Sequence, residues 1–473
     1  MKRVFSGHRL RKLSRAWAPL ALALMVLGTL LPVATAWSQT SGGTGFEIIG
    51  RIQSLTLNNP ADVLSGGTVV VNNITVVIPR NTIITMPGTF LSLGELFNGA
   101  TQSGLATSDS LPPQTPYEIT VIGNIVNGTY IAGLVQIAQS FGQALAGTIT
   151  AIDYATGDLW VSGTTGRPMR WRIQLNDPVG RFGRMISADA RFTADTDNPT
   201  IHAQTGYPMC VPRTNPATQD DPECPKANRP LDPVTGAPLK KFTMAAPGTP
   251  GALTNPMKQA PLMVGDFITY SGIQGTDARG PYLSVSHINA WVGISTAPGT
   301  LPAYVTQEVS QIGVGSGPVF PGIAADFKLG ILIEGLTTDP TRPVDVYAVD
   351  VDACSGRETL RLLGTGFPAP IPQRYKFEPV VGNFLPVMRE ILVKMRQGTM
   401  PAANGLIAGQ YRAPLGTYLL PGTLSPGLPL IPNNFGDFPF LAKGSGPFHG
   451  AGPVVGQLSP WPGAPVPAPS SCQ

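Results

Sequence analysis

The sequence predicts an all-β protein of two or three small barrel-like or sandwich-like units, and three observations carry that expectation. Gly and Pro number 55 and 49, about 22% of 473 residues, more turn-forming material than a helical protein tolerates. Runs rich in Val, Ile and Thr recur from Phe46 onward, punctuated by Gly, Asn, Asp and Pro. Similar strand–turn–strand segments return at intervals, and at roughly 150 residues per domain the length suits about three units.

The chain opens on Lys2, Arg3, Arg9, Arg11, Lys12 and Arg15 without an acid, continues through an apolar stretch from Ala16 to Val33, and reaches Ala34-Thr35-Ala36. Basic, apolar, then small is the order of a secretory signal, so residues 1–36 are expected to be removed after Ala36. A membrane anchor is the alternative, because the stretch approaches spanning length. No cysteine follows the small residues, which leaves lipoprotein anchoring without support, and no stable membrane insertion is expected after cleavage. The leader holds six of the 32 Lys and Arg and none of the 28 acids, leaving 26 basic against 28 acidic groups and a formal charge of −2. The basic character of the whole chain therefore gives no argument for nucleic acid as a partner. The expected location is secreted, extracellular or periplasmic.

Five segments follow in order: the signal at 1–36, a β domain at 37–145, a second at 146–298 with an insertion at 187–261, a third at 299–365, and a Pro/Gly-rich C-terminal segment at 366–473. In Gly67–Met86, β-branched runs flank Asn72-Asn73, residues that accept the left-handed conformations of a tight hairpin, and Pro79 marks a bend or an edge. Ile119–Ala138, Ile268–Ala290 and Ile331–Cys354 share an apolar strand, a glycine (Gly123, Gly272, Gly335), a turn, a tyrosine (Tyr130, Tyr282, Tyr347) and a second strand. Each is expected to be a hairpin closing its own small sheet. Opening strands at Ile48–Leu55 and Ala146–Ile152 precede the first two, and about five such strands per unit match the pattern of small barrels of the OB type. In the C-terminal segment, Val387, Met388, Ile391, Leu392 and Met395 fall at helical spacing between Pro386 and Gly398, which predicts one helix over Val387–Gln397.

All four cysteines follow the leader, and an even count in an exported chain indicates disulfides. Cys210 and Cys224 bracket a Pro-, Asp- and Asn-rich loop and are expected to pair locally, leaving Cys354 to clamp the tail at Cys472. The stretches Ile173–Gly183 and Gly206–Arg213, with Asp220-Asp221-Pro222 ahead of Cys224-Pro225, resemble motifs of an uncharacterised family of large secreted bacterial and fungal β-rich proteins. The resemblance touches mainly residues 46–230 and implies export and a shared fold without supplying chemistry.

The serine-hydrolase elbow, the zincin H-E-x-x-H, the Walker A loop and C-x-x-C are absent from the sequence. His202, His287 and His449 are isolated in sequence and count as bystanders before they count as ligands. Strand alternation puts Asp350 and Asp352 on one face, where two carboxylates would suit Ca²⁺ or an acid–base pair, and Asp195, Asp197 and Asn198 form a second oxygen-rich cluster. The most distinctive candidate surface is basic: Arg167, Arg170, Arg172, Arg181, Arg184 and Arg191, with Trp171, Phe182 and Phe192 interleaved. Read as a strand, Trp171, Ile173 and Leu175 point inward and Arg170, Arg172, Gln174 and Asn176 outward, a face suited to phosphate, sulfate or uronic acid groups. The leading expectation is a secreted or envelope-associated, non-catalytic binding or structural protein that contacts an anionic polysaccharide or another envelope component. A carboxylate-dependent extracellular hydrolase and a metal-binding surface protein are the alternatives, with Ca²⁺ the only cofactor to consider.

Overall fold

A computed structural model of the chain describes residues 43–139, 145–163, 170–313, 331–368, 373–379, 388–414, 417–419, 435–447 and 452–472. The expected signal, Arg167, Pro386, Val387 and His449 lie outside them.

The first unit grows from one bent strand, β1 (Thr44–Arg51) and β2 (Ser54–Leu57), followed by β3 (Gly67–Val71) and β4 (Ile74–Ile78). Asn72 and Asn73 join β3 to β4 with φ of 51° and 63°, the left-handed pair that a two-residue hairpin needs. Beyond Pro79 come β5 (Ile83–Thr85), β6 (Phe90–Ser92) and the short helix α1 (Leu93–Phe97), whose first turn is held by a reciprocal Ser92–Glu95 capping box. A long hairpin, β7 (Glu118–Val126) and β8 (Thr129–Ala138), completes the unit. The strand order β1-β7-β8-β4-β3-β2 is antiparallel except where β4 runs parallel to β8. Since β1 and β2 are successive parts of one strand, the circuit closes on itself, the connectivity of a five-stranded Greek-key barrel of the OB type.

The second unit repeats this plan. Its meander is β9 (Leu145–Asp153), β10 (Asp158–Gly163) and β11 (Arg170–Leu175). An insertion follows, carrying β12 (Ile201–Ala203), β13 (Met209–Cys210), β14 (Lys241–Met244) and β15 (Ala260–Pro261), and then the hairpin β16 (Phe267–Asp277) and β17 (Gly280–Ala290), with β18 (Gly293–Thr296) after it. β16 pairs with β9, and β17 closes the ring by running parallel to β11. The insertion is packed rather than loose: Tyr207, Met209, Val211, Met244 and Leu262 share one core with Ile149, Val161, Ile173, Ile268 and Val285.

Both closing hairpins carry a β-bulge at the shared glycine, between Ile122 and Gly123 and between Ser271 and Gly272. A Cβ at Gly123 would lie 2.0 Å from the Ile131 carbonyl oxygen, and one at Gly272 2.1 Å from that of Ser284. Glycine is required there because backbone approaches backbone at the point of sharpest twist.

The third sheet begins with β19 (Val309–Gly313), β20 (Ile331–Leu336), β21 (Val344–Val351), β22 (Glu358–Pro368), β23 (Arg374–Phe377) and β24 (Glu390–Met395). After the small pair β25 (Met400–Pro401) and β26 (Ile407–Ala408), β27 (Gln410–Pro414) and β28 (Thr417–Leu419) complete it. The order is β27-β24-β21-β22-β23-β20-β19-β28, so strands well beyond residue 365 belong to this sheet. Two expectations fail here. Ile331–Cys354 is not a hairpin, because β22 and β23 lie between β20 and β21; the buried Asp339 in the connecting turn instead accepts the Gly299 amide at 2.8 Å and ties the turn to the chain before β19. The segment expected to be a helix, Val387–Gln397, contains β24, clamped between β21 and β27. Ile391, Leu392, Val393 and Met395 are all buried, and a strand covered on both faces loses the polar alternation that distinguishes it from a helix.

The tail returns across the first barrel. Phe435 lies where a Cβ at Gly133 of β8 would be, Arg80 and Ser459 exchange backbone hydrogen bonds at 2.7 and 3.2 Å, and the helix α2 (Pro439–Ala442) packs Leu441 into the third core. Both expected disulfides are present: Cys210–Cys224 staples the insertion, and Cys354–Cys472, 118 residues apart in sequence, fastens the tail to the end of β21.

Two outcomes are expected in chemical denaturation of the oxidised protein. Gly123→Ala and Gly272→Ala each cost about 1–3 kcal/mol, the range for overpacking a filled site. Replacing Cys354 and Cys472 by Ser lowers stability more than replacing Cys210 and Cys224, about 4.7 against about 3 kcal/mol on the loop-entropy scale.

Candidate functional site

Four arginines of the basic stretch, Arg172, Arg181, Arg184 and Arg191, are engaged inside the chain. Arg172 on β11 is 5% exposed; it donates to both Asp277 oxygens at 2.7 and 2.9 Å and to the Gly280 carbonyl at 2.7 Å. Arg279 completes a ring of alternating charge, reaching Asp158 at 2.5 Å and Asp277 at 3.0 Å. Hydrogen bonds from Arg172, with those of Arg279, hold the Asp277 carboxyl well below the usual carboxylate range. The Arg172 guanidinium also sits 4.9 Å from the centre of the Tyr282 ring.

The other arginines act as struts between distant segments. Arg181 donates to the Asn404 carbonyl at 3.0 Å, and Arg184 to those of Tyr154 and Arg213 at 2.9 and 3.1 Å. Arg191 binds Asp189 at 2.7 Å while donating to the carbonyls of Leu96 and Ser103 in the first unit. Arg170 alone of the described set stands exposed on the strand, with Trp171 half-buried beside it. The outward face expected for Arg172, Gln174 and Asn176 is thus buried, because the insertion and the β16–β17 turn cover the side of β11 that faces away from the barrel interior. Stretches noted in the sequence have local tasks as well: the buried Asp177 carboxylate accepts the amides of Arg181, Phe182 and Gly183, and Tyr207 donates to the Lys258 carbonyl at 2.7 Å.

Asp350 lies near the end of β21 and Asp352 just past it, and each is engaged. Asp350 is bidentate to Arg361 at 2.7 and 3.1 Å, and Asp352 accepts the Ser355 amide and hydroxyl at 2.7 and 2.6 Å, organising the turn before the disulfide. Asp195 similarly accepts the amides of Asp197 and Asn198 at 2.7 and 3.3 Å. Among the described residues no three His, Cys, Asp or Glu groups converge in a metal-ligand arrangement.

Sequence reasoning missed a histidine pair. His202 on β12 and His287 on β17 lie with ring centres 5.2 Å apart, and the His202 Nδ1–H donates to the Ala203 carbonyl at 2.7 Å. Burial pushes His202 down to about 4; burial and the neighbouring His202 push His287 to about 3.

Two adjacent cavities are the other feature that no local motif announces. The first, about 230 Å³, lies between the outer face of β7 and β8, the β5–β6 pair and the returning tail, with Ile49, Ile83, Ile122, Leu134, Phe440 and Leu441 in its walls beside the polar Glu47, Asn81, Gln136 and Arg389. The second, about 210 Å³, lies where the first unit, the insertion and the third sheet meet, lined by Asp195, Thr200, Gln307, Glu308, Ser310 and Tyr411. Phe90 and Pro414 are walls of both. Burial, with Asp195 nearby, raises the Tyr411 phenol, so it stays protonated.

Comparison with family models, curated sequences and solved structures returns no match.

The histidine pair gives a pH prediction. Both folded pKa values lie below the unfolded value of about 6.5, so the unfolded chain takes up protons first; stability is intact above pH 6.5 and falls as pH drops towards 4. For His202 alone the loss by pH 4 is about 3 kcal/mol. Denaturation midpoints across pH 4–7 check this, and His202→Asn removes part of the slope.

Proposed function

We propose that this is an exported, non-catalytic binding protein whose ligand occupies the cleft between the first barrel and the third sheet. The cavity under the tail, with its aliphatic wall, carries this reading. Protein interiors pack to crystal-like density, and an apolar void forfeits the contacts that would fill it. A void of ~150 Å³ already suffices for a benzene-sized guest, so about 230 Å³ walled by Ile83, Ile122, Leu134 and Phe440 suits a short alkyl chain or a ring. Ile49, 58% exposed, sits at its margin and offers an apolar entry.

Two disulfides and the basic–apolar–small order of the first 36 residues support work in an oxidising compartment. The cleft replaces the arginine-rich stretch as the preferred contact, since those guanidinium groups already serve the chain's own carboxylates and carbonyls.

The test is titration with the uncharged apolar fluorophore N-phenyl-1-naphthylamine. Saturable one-to-one enhancement is expected, with affinity weakened at least about tenfold, or 1.4 kcal/mol, in Ile49→Asp. Absence of saturable binding to the folded, oxidised protein overturns the reading.

A further inference from the structure

We propose that the cleft continues past Phe90 and Pro414 into a chamber that takes the uncharged, hydroxyl-rich head of an amphiphile, so that the ligand is of the glycolipid class. The inference deepens the binding reading above and rests on it.

The argument starts from hydrogen bonds that the chain does not make. Thr200 Oγ1, Gln307 Nε2 and Oε1, and Ser310 Oγ are all covered and have no partner. All three residues line the same chamber of about 210 Å³. Leaving a buried polar group unsatisfied costs about 1–3 kcal/mol, and such groups are few in native proteins. The residues that carry these four atoms meet around one void from separate parts of the fold, Thr200 from the insertion and Gln307 and Ser310 from the approach to the third sheet and its strand β19, each polar atom being turned into the wall. Thr200 is only 9% exposed. Rotation about χ1 of Thr200 and Ser310, or χ3 of Gln307, redirects the polar atoms between wall and chamber at little cost.

The chemistry of these groups selects the head. Two hydroxyls and a carboxamide offer donors and acceptors together, as vicinal sugar hydroxyls require, and none carries charge. The carboxylates in the wall disfavour an anionic head. They are also poorly placed to reward a cation, because Asp195 already accepts the amides of Asp197 and Asn198, and Glu308 pairs with Arg374 at 3.3 Å. Phe90 and Tyr411 add aromatic surface for the apolar face of a sugar ring. With the aliphatic wall of Ile83, Ile122 and Leu134 on the other side of Phe90 and Pro414, the two halves match an alkyl chain joined to an uncharged glycosyl head.

Displacement of N-phenyl-1-naphthylamine by four probes tests this: octyl β-glucoside below its micellar concentration, 1-octanol, octanoate and free glucose. The glucoside is expected to bind at least tenfold more tightly than octanol, and octanoate no better than octanol. In Thr200→Val/Ser310→Ala, the glucoside advantage is expected to fall to about one while octanol and fluorophore binding persist. The melting temperature of that variant should hold or rise, because two unsatisfied hydroxyls are removed. Equal affinity of glucoside and octanol for the parent protein, as expected if the polar chamber holds only water, overturns this inference and leaves the binding reading standing. Failure of the fluorophore itself to bind overturns both.

Discussion

Two short parallel ladders hold the architecture together. Val76 and Val77 lie beside Tyr130 and Ile131 in the first barrel, and Ile173 to Leu175 beside Leu283 to Val285 in the second. Without them each unit is an open meander next to a hairpin, with two exposed edges and an apolar face too small to bury itself. Parallel pairing needs a long connection between the partners, and both barrels place their irregular material there: the β5–β6–α1 excursion in one, the disulfide-stapled insertion in the other. Closure of the ring therefore explains why these loops exist and where they emerge.

Loops of that length carry many backbone carbonyls that no ladder satisfies, and burying them without partners is costly. The arginines of residues 181–191 meet that need: a guanidinium has five donors in a rigid fork, and Arg184 and Arg191 each serve two carbonyls from other segments. The same logic applies to Asn228, whose amide donates to the carbonyls of Asn255, Lys258 and Gln259, and to the fully buried Arg229–Asp266 pair. A bidentate pair without solvent access leaves no cheap way to remove one partner, so it fixes the position of the insertion more than it adds net stability.

Local signals were legible in the sequence and non-local ones were not. Asn72-Asn73, the glycines at the two bulges and the spacing of Cys210 and Cys224 each report backbone geometry within a few residues, and the β class, the first two hairpins and the local disulfide follow from them, with Cys354–Cys472 left as the remaining pair. The third hairpin and the helix failed because the partners that decide them are remote: β22 and β23 separate β21 from β20, and β24 is paired on both edges by β21 and β27 and buried on both faces. Arg172 illustrates the same limit at the level of one side chain. Strand alternation gives its face, but only the arrival of Asp277 from β16, over a hundred residues later, turns an exposed cation into a buried one. The cleft was invisible for this reason too, as its walls come from residues near 49, 90, 134, 200, 307, 414 and 440.

The two recesses of that cleft follow from how closed barrels pack. A barrel has its core inside, and apolar residues on its outer surface are buried where another element covers them. On β7 and β8 the cover is the C-terminal tail, which is why Ile122 and Leu134 pack against the third core from outside the first barrel. The tail is anchored at Arg80 and Gly133 but leaves the strip between them and β5 uncovered, and a chamber results. Further along, the surfaces that meet are turns and strand ends, and Thr200, Gln307 and Ser310 join Phe90, Tyr411 and Pro414 in the wall. One barrel face meeting first a tail and then a junction of turns thus leaves two recesses side by side, separated by Phe90 and Pro414. Neither half requires a catalytic group, and both place their demands on the shape and polarity of whatever fills them.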